Sequence, residues 1–244
     1  MKHLDLAELK KDWHGCARCG LGKQRSGPRI VFGLGPDRPR YLLVYDTPTE
    51  ADVDAALPMA GQEGDLLVSL LTEAGIDIGE VFCAPLVGCR PTTLLPATDT
   101  EPERIVDRAP TAEEYAACAP RVEELIYRLD PALIFSMGPN TYLKLVRGPD
   151  RETYTTVEKA AGKLFKTRIA GRYLDQLIYD IIPLLSMQQI FQKPSHAAHG
   201  PMATTIKYLV KGKQYVEFIE RRTQEDARAS QHGGTGAAPL HEGS

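Results

Sequence analysis

The sequence lacks any long apolar segment. No apolar run approaches the roughly 18 residues that a membrane-spanning helix needs, and the N-terminus, opening with Lys2, His3 and Asp5, has no signal-peptide-like stretch. A strong positive charge is also missing, because the formal net charge is -3. Any contact with nucleic acid must therefore come from a local basic patch. We expect a cytoplasmic protein that does not bind membranes.

The chain has no internal repeat and few cysteines. With 244 residues, of which 43% are hydrophobic, it is long enough to bury one substantial core. We therefore expect a monomer with one main domain over residues 1–222. Because the cytosol keeps thiols reduced, the five cysteines predict metal binding or burial and not disulfide bonds.

Apolar periodicity predicts strands that alternate with helices. Short apolar runs predict buried strands, at residues 41–45, 81–87, 131–135 and 177–185. Apolar residues every three or four positions predict helices, at residues 4–13, 65–74, 111–129, 141–147 and from about 202. This alternation predicts an α/β fold: a three-layer sandwich with a central, mainly parallel four-stranded sheet flanked by helices.

Two segments show no regular period. Residues 92–110 contain several prolines and acidic residues and predict an inserted loop. From about residue 223 the chain turns to small and polar residues, which predicts a disordered C-terminal tail over residues 223–244.

Four of the cysteines have a spacing typical of a metal site. Cys16 and Cys19 form a Cys-x-x-Cys pair, and Cys89 and Cys118 follow far along the chain. A zinc ribbon has a second close pair, so the spacing favours an iron-sulfur cluster. Two alternatives stay open: the first pair is a redox pair or a simple turn, and the other two cysteines are buried apolar residues. Cys83 is predicted to belong to the core.

Further motifs accompany these cysteines in a fixed order. They are Pro58-Met-Ala-Gly61-Gln-Glu-Gly64-Asp-Leu66-Leu67, Pro85-Leu-Val-Gly-Cys89-Arg90-Pro91, Thr111-Ala-Glu-Glu-Tyr-Ala-Ala-Cys118 and Ser136-Met-Gly138-Pro-Asn-Thr. In this order they resemble the family 4 uracil-DNA glycosylases, from about residue 16 to residue 211. The resemblance implies the uracil-DNA glycosylase-like fold, DNA as a partner, and a 4Fe-4S cluster bound by the four cysteines.

The first pocket motif of that family, Gly-Glu-x-Pro-Gly, corresponds to residues 45–49. Asp46 keeps an acid there, which would orient water or stabilise a cationic sugar. Both glycines are replaced, so the pocket is expected to be narrower or reshaped. The alternative for Asp46 is an Asx turn at the end of a strand.

Two further pocket positions depart from the family. Met59 stands where the family has a phenylalanine that stacks on the base, and Pro85 where it has an asparagine that reads the base. A proline side chain offers no hydrogen bond, so the reading of uracil is altered. The predicted base pocket consists of Tyr45, Pro48, Met59 and Pro85.

The last motif, His-Pro-Ser, corresponds to Lys193-Pro194-Ser195, followed by His196. The resemblance implies that Lys193 or His196 stabilises the departing base. Alternatively, Lys193 contacts a phosphate or is solvated, and His196 is an ordinary loop residue. Arg90, Gly138 and Ser195 are predicted to contact DNA phosphates.

Two functions are compatible with these residues. The first is a DNA-binding, glycosylase-like iron-sulfur protein that excises uracil or a modified base by hydrolysing the N-glycosidic bond, with Asp46, Lys193 and His196 as catalytic residues. The second is a catalytically inactive module derived from a glycosylase, which binds DNA or a replication or repair protein.

Overall fold

The computed structural model describes residues 6–23, 30–170, 176–192 and 200–232. Its strands are β1 (Tyr41–Tyr45), β2 (Val81–Pro85), β3 (Thr92–Leu95), β4 (Arg104–Asp107), β5 (Leu133–Met137), β6 (Phe165–Ala170) and β7 (Gln176–Leu184). Its α-helices are α1 (Leu6–Trp13), α2 (Glu50–Ala55), α3 (Gln62–Glu73), α4 (Ala112–Leu129), α5 (Pro139–Leu145), α6 (Asp150–Thr153), α7 (Val157–Ala160), α8 (Met187–Gln192) and α9 (Pro201–His232).

The central sheet is mainly parallel, as predicted. Its spatial order is β2-β1-β5-β7-β6; the first four strands are parallel, and β6 pairs antiparallel with β7. The edge strand β6 is an addition to the four predicted strands. Its residues alternate between buried and exposed, as in a strand with one covered face: Phe165, Thr167 and Ile169 are buried, and Lys166 and Arg168 are exposed.

Each face of the sheet has its own apolar core. Leu42 and Val44 of β1 pack on one face, in a core that includes residues of α1, α4, α5 and α7. Leu43 and Tyr45 belong to the core of the other face, with residues of α3, α8 and α9. Successive side chains of β1 thus enter opposite cores, as strand geometry requires. This arrangement confirms the predicted three-layer sandwich.

Helix α4 begins at the predicted capping box. The Thr111 hydroxyl accepts from the Glu114 N–H at 3.2 Å, and the Glu114 carboxylate accepts from the Thr111 N–H at 2.8 Å. Pro120 lies inside the helix at an exposed position, so water can satisfy the carbonyl that loses its helical partner. The helix therefore continues through Pro120. Cys118, one turn after the capping box, lies on its buried face.

The prediction of an irregular loop over residues 92–110 is wrong for two short segments, Thr92–Leu95 and Arg104–Asp107, which form strands. β3 and β4 form an antiparallel hairpin in which Leu94 lies opposite Ile105. These two side chains are 55% and 64% exposed. Because both strands have only four residues and no buried face, the sequence carries no alternating pattern by which to recognise them.

The predicted disordered tail is also wrong for residues 223–232, which continue α9. This segment contains alanine, glutamate, glutamine and arginine, which favour helix, and it extends a helix already packed on the sheet. Residues 233–244 lie outside the described residues. None of the helices in the described part is long and apolar enough to cross a membrane.

Ending the chain after Arg222 should leave the free energy of unfolding nearly unchanged, because residues 223–230 are fully on the surface. Leu209→Ala on the same helix should lower it by about 2–5 kcal/mol, since Leu209 is 0% exposed. Urea denaturation of both variants measures the difference. A large loss of stability in the truncated chain would mean that the end of α9 supports the fold.

Candidate functional site

A cleft of about 790 Å³ opens beyond the carboxyl ends of β1, β5 and β7. The segments that follow these strands supply much of its wall, and residues 107–110, after the hairpin, supply another part. The carboxyl ends of parallel strands meet at one edge of the sheet, where α/β proteins commonly bind ligands. The cleft is therefore the candidate active site.

Three of the predicted base-pocket residues, Tyr45, Pro48 and Met59, line this cleft. Met59 is 8% exposed and has a φ of 53°, in the left-handed region that favours glycine. Asp52 anchors the surrounding backbone, because its carboxylate accepts from the Tyr45 hydroxyl at 2.9 Å and from the Ala60 N–H at 2.6 Å. Asp52 thus holds Tyr45 and the backbone next to Met59 in place.

Pro85, the fourth predicted base-pocket residue, is not among the residues that line the cleft. It ends β2 as a buried residue, and its carbonyl accepts a hydrogen bond from the Arg121 guanidinium. The prediction that Pro85 lines the base pocket is therefore corrected. Its carbonyl instead joins the end of β2 to α4 through Arg121.

Asp46 follows β1 and caps α5, which follows β5. One carboxylate oxygen accepts from the Thr141 N–H at 2.7 Å and the Thr141 hydroxyl at 2.5 Å. The other accepts from the Asn140 N–H at 3.3 Å and the Asn140 side-chain amide at 3.0 Å. Burial raises the pKa of Asp46, and these four hydrogen bonds oppose the rise. The predicted catalytic acid thus lies in the cleft as a fixed, partly desolvated group, and its partners are not those of an Asx turn.

Gly138 permits this close approach of Asp46. A Cβ at this position would lie 2.8 Å from the Asp46 carboxyl carbon, and its φ of +105° disfavours other residues. The Gly138 N–H donates to the Leu184 carbonyl at 3.0 Å. Because that donor is occupied, the Gly138 N–H is not available for the predicted contact with a phosphate. Gly138 instead has a structural role, since it leaves room for the Asp46 carboxylate.

The arginines near the cleft are paired with carboxylates. Arg90 lies 2.6 Å from Asp107 and 3.2 Å from Glu50, so a phosphate contact by Arg90 would have to compete with two acids. Arg108 donates to both carboxylate oxygens of Glu114, at 2.8 and 2.6 Å. The predicted phosphate-binding role of Arg90 stays a prediction.

The remaining predicted site residues, Lys193, Ser195 and His196, lie outside the described residues. Their predicted roles at the departing base and at a phosphate therefore stay predictions.

Glu63 is a cleft residue that the motif comparison overlooks. It lies in the first turn of α3, half-buried in the cleft wall, and no hydrogen bond or ion pair joins it to another described residue. Burial, with the nearby carboxylate Asp52, raises the pKa of Glu63. The sequence signal is an acid inside the glycine-rich motif Gly61-Gln-Glu-Gly64. Glu63 is thus a carboxylate free to meet a ligand or a water molecule.

The four predicted metal ligands line one small cavity on the other side of β2. Cys16, Cys19, Cys89 and Cys118 all line it, and Cys83 lies elsewhere. Burial raises the pKa of Cys89 to about 12, and the other three thiols of the cavity add to the rise. The structure therefore brings together the four cysteines that the sequence singles out.

Arg121 borders this cavity as a fully buried side chain. Its guanidinium donates to the carbonyls of Phe32, at 3.0 Å, of Leu86, at 3.3 Å, and of Pro85. Its Nε has no hydrogen-bond partner, and within the described ranges no carboxylate pairs with it. Burial lowers the pKa of Arg121, and the nearby thiols of Cys118 and Cys89 oppose this change. A buried positive charge therefore lies beside four thiols.

Comparison with known proteins agrees with this geometry. The sequence model described as the uracil DNA glycosylase superfamily matches residues 32–210. A protein of Pyrobaculum aerophilum named type-4 uracil-DNA glycosylase is 29% identical over 168 residues, which cover 69% of this chain and 78% of the relative. A protein of Sulfurisphaera tokodaii with the same name is 23% identical over 233 residues, which cover 92% of this chain and 98% of the relative.

Glu63→Gln should raise the melting temperature at pH 7, because a carboxylate whose pKa is raised by folding destabilises the folded state once it is ionised. The advantage should disappear as the pH falls below 4.5, the ordinary pKa of glutamate, because both side chains are then neutral in the folded and unfolded states. Thermal denaturation from pH 3 to 8 measures this difference. An equal melting temperature for both proteins at pH 7 would contradict the desolvation of Glu63.

Proposed function

This chain belongs to the uracil DNA glycosylase superfamily, and on that premise we propose that it is a DNA glycosylase that hydrolyses the N-glycosidic bond of uracil or a modified base. The observation that carries the proposal is the cleft at the carboxyl ends of β1, β5 and β7, which is lined by two desolvated carboxylates, Asp46 and Glu63, and by Met59.

The two carboxylates suit the charge that this reaction develops. A glycosylase flips the target base out of the helix, and the sugar becomes cationic as its bond to the base breaks. The base leaves with the bonding electron pair and takes up a proton, and water adds to C1′ and loses a proton. Glu63, which has no partner among the described residues, would orient the water, and the fixed charge of Asp46 would stabilise the cationic sugar. The group that meets the departing base is predicted to be Lys193 or His196.

The base that fits this pocket is either not uracil, or it is uracil recognised through contacts other than those of the resembled family. Met59 replaces an aromatic stacking surface with a flexible thioether, and Pro85, which lies outside the cleft, has no side-chain amide that could read the base. Glu63 and Tyr45 bring polar atoms to the same cleft. We therefore include deaminated and alkylated bases among the candidate substrates, together with uracil.

The cysteine cavity fits the 4Fe-4S cluster that the family resemblance implies. Four thiols line one cavity, and a buried arginine charge without a carboxylate partner lies beside them. No three described His, Cys, Asp or Glu side chains converge tightly enough to hold a single metal ion. A cubic cluster accepts one thiolate at each iron, so its ligands stand farther apart than those of a single ion. When bound, the cluster would join α1, the turn after β2 and α4 as a structural centre.

An inactive binding module is the second candidate, and one observation favours it. Asp46 already accepts four hydrogen bonds from α5, which leaves its oxygens little capacity for a substrate. If Glu63 does not act on water, the cleft would bind a flipped base without cutting the bond. DNA affinity that falls steeply with salt would accompany either function.

An oligonucleotide panel that carries uracil, hypoxanthine, xanthine and alkylated bases tests the proposed activity. We expect release of at least one base, with Glu63→Gln and Asp46→Asn each lowering the single-turnover rate about 100-fold or more. Asp65→Asn, an exposed acid in the first turn of the same helix α3, is the matched control and should retain the rate. If none of these bases is released while the panel is still bound, the inactive module is the function.

Purified protein should contain iron and absorb broadly at about 400 nm, where iron-thiolate charge transfer occurs. Cys118→Ala should lose this band, because it removes a predicted ligand from the cavity. Cys83→Ala is the matched control: it removes a cysteine that is 6% exposed but outside the cavity, and it should keep the band. Colourless wild-type protein with stoichiometric zinc would refute the iron-sulfur cluster, but it would agree with the four cysteines as metal ligands.

A further inference from the structure

The packing of the fold alone does not explain why the positively charged side chain of Arg121 is buried. We propose that Arg121 is the counter-cation of the iron-sulfur cluster and couples the charge of the cluster to the backbone that forms the cleft wall. This inference rests on the cluster proposed above.

The burial of Arg121 requires a compensating negative charge. Its side chain is 0% exposed, and the oxygen acceptors that it binds are neutral backbone carbonyls, with the Cys118 thiol as a further partner. Carbonyl dipoles satisfy part of the guanidinium but carry no net charge, so the cost of removing this cation from water is only partly offset. Within the part of the chain that the structure describes, its Nε has no hydrogen-bond partner, which leaves one donor free.

The cysteine cavity supplies the missing charge when it is loaded. A 4Fe-4S cluster with four thiolates is an anion, and Arg121 borders the cavity beside Cys118 and Cys89. A cation that borders the cavity attracts the cluster in a region of low dielectric constant, where such interactions are strong. The attraction is greater when the cluster has gained an electron, so Arg121 raises its reduction potential.

The same guanidinium also contacts the turn that leads to the cleft. One Arg121 nitrogen donates to the carbonyls of Pro85 and Leu86. The Leu86 N–H donates to the Tyr45 carbonyl at 2.6 Å, and the Val87 N–H donates to the Asp46 carbonyl at 3.1 Å. A continuous set of hydrogen bonds therefore joins Arg121 to the two residues that begin the cleft wall.

Arg121→Met tests the effect of the positive charge while the side-chain volume is largely kept. Methionine fills much of the same volume without a positive charge. We expect a more negative one-electron midpoint potential in protein-film voltammetry of the intact protein, where the electrode supplies the electron. We also expect about 10-fold faster loss of the 400 nm absorbance in the presence of an iron chelator, since the cluster loses a stabilising cation.

Arg128→Met is the matched control. Arg128 lies on the same helix, its side chain is 5% exposed, and it pairs with Glu124 at 2.8 Å. It is seven residues, or about 10 Å along the helix axis, beyond Arg121. This variant should lose stability in urea denaturation without a shift of the midpoint potential.

Arg121→Lys tests whether charge is the cause. Lysine keeps the charge and loses the planar fork, so its potential should lie nearer the wild type than that of Arg121→Met. If Arg121→Met folds without iron, the lysine variant should still load iron. Equal potentials in wild type and Arg121→Met, equal shifts in the Met and Lys variants, or loss of iron from both would overturn the role of Arg121. Iron-free wild-type protein would instead refute the cluster itself.

Discussion

The contact between Asp46 and the start of α5 is the interaction on which the cleft depends. It joins the end of β1 to the end of β5, and it places a carboxylate at the edge of the sheet where water is scarce. Removing a carboxylate from water is costly, and four hydrogen bonds offset that cost here. The same contact requires glycine at position 138, because any side chain would occupy the place of the carboxylate. Asp46, the proposed catalytic residue, thus also has a structural role.

The turn after β2 links this contact to the cysteine cavity. On one side its N–H groups bond to the carbonyls of Tyr45 and Asp46, and on the other its carbonyls accept from Arg121. The two proposed centres therefore share a short stretch of backbone. A cluster in such a place would act on the cleft through the position of this turn, and it need not touch the substrate.

The sequence predicts features whose causes are local. Buried strands appear as apolar runs, and the capping box at Thr111 is a short motif, so both are recognisable without the fold. The partners of Asp46 are not, because they lie 94 and 95 residues along the chain and meet it only when the sheet forms. Nothing local marks Arg121 as buried, since arginine is normally solvated. Glu63 stands in a recognised motif, but its exposure to the cleft depends on how α3 packs.

The charges of the cleft wall suit the proposed hydrolysis better than the attraction of DNA. The described wall has carboxylates at Asp46, Glu63 and Asp107, and its cation Arg108 is neutralised by Glu114. Such a wall repels phosphates, so the affinity for DNA must come from residues outside it. A bound DNA substrate would meet this repulsion, whereas an attraction would appear only as the sugar became cationic in the proposed hydrolysis. Only interactions that strengthen in the transition state accelerate a reaction. The acidic wall would therefore lower the affinity for DNA and raise the rate of hydrolysis.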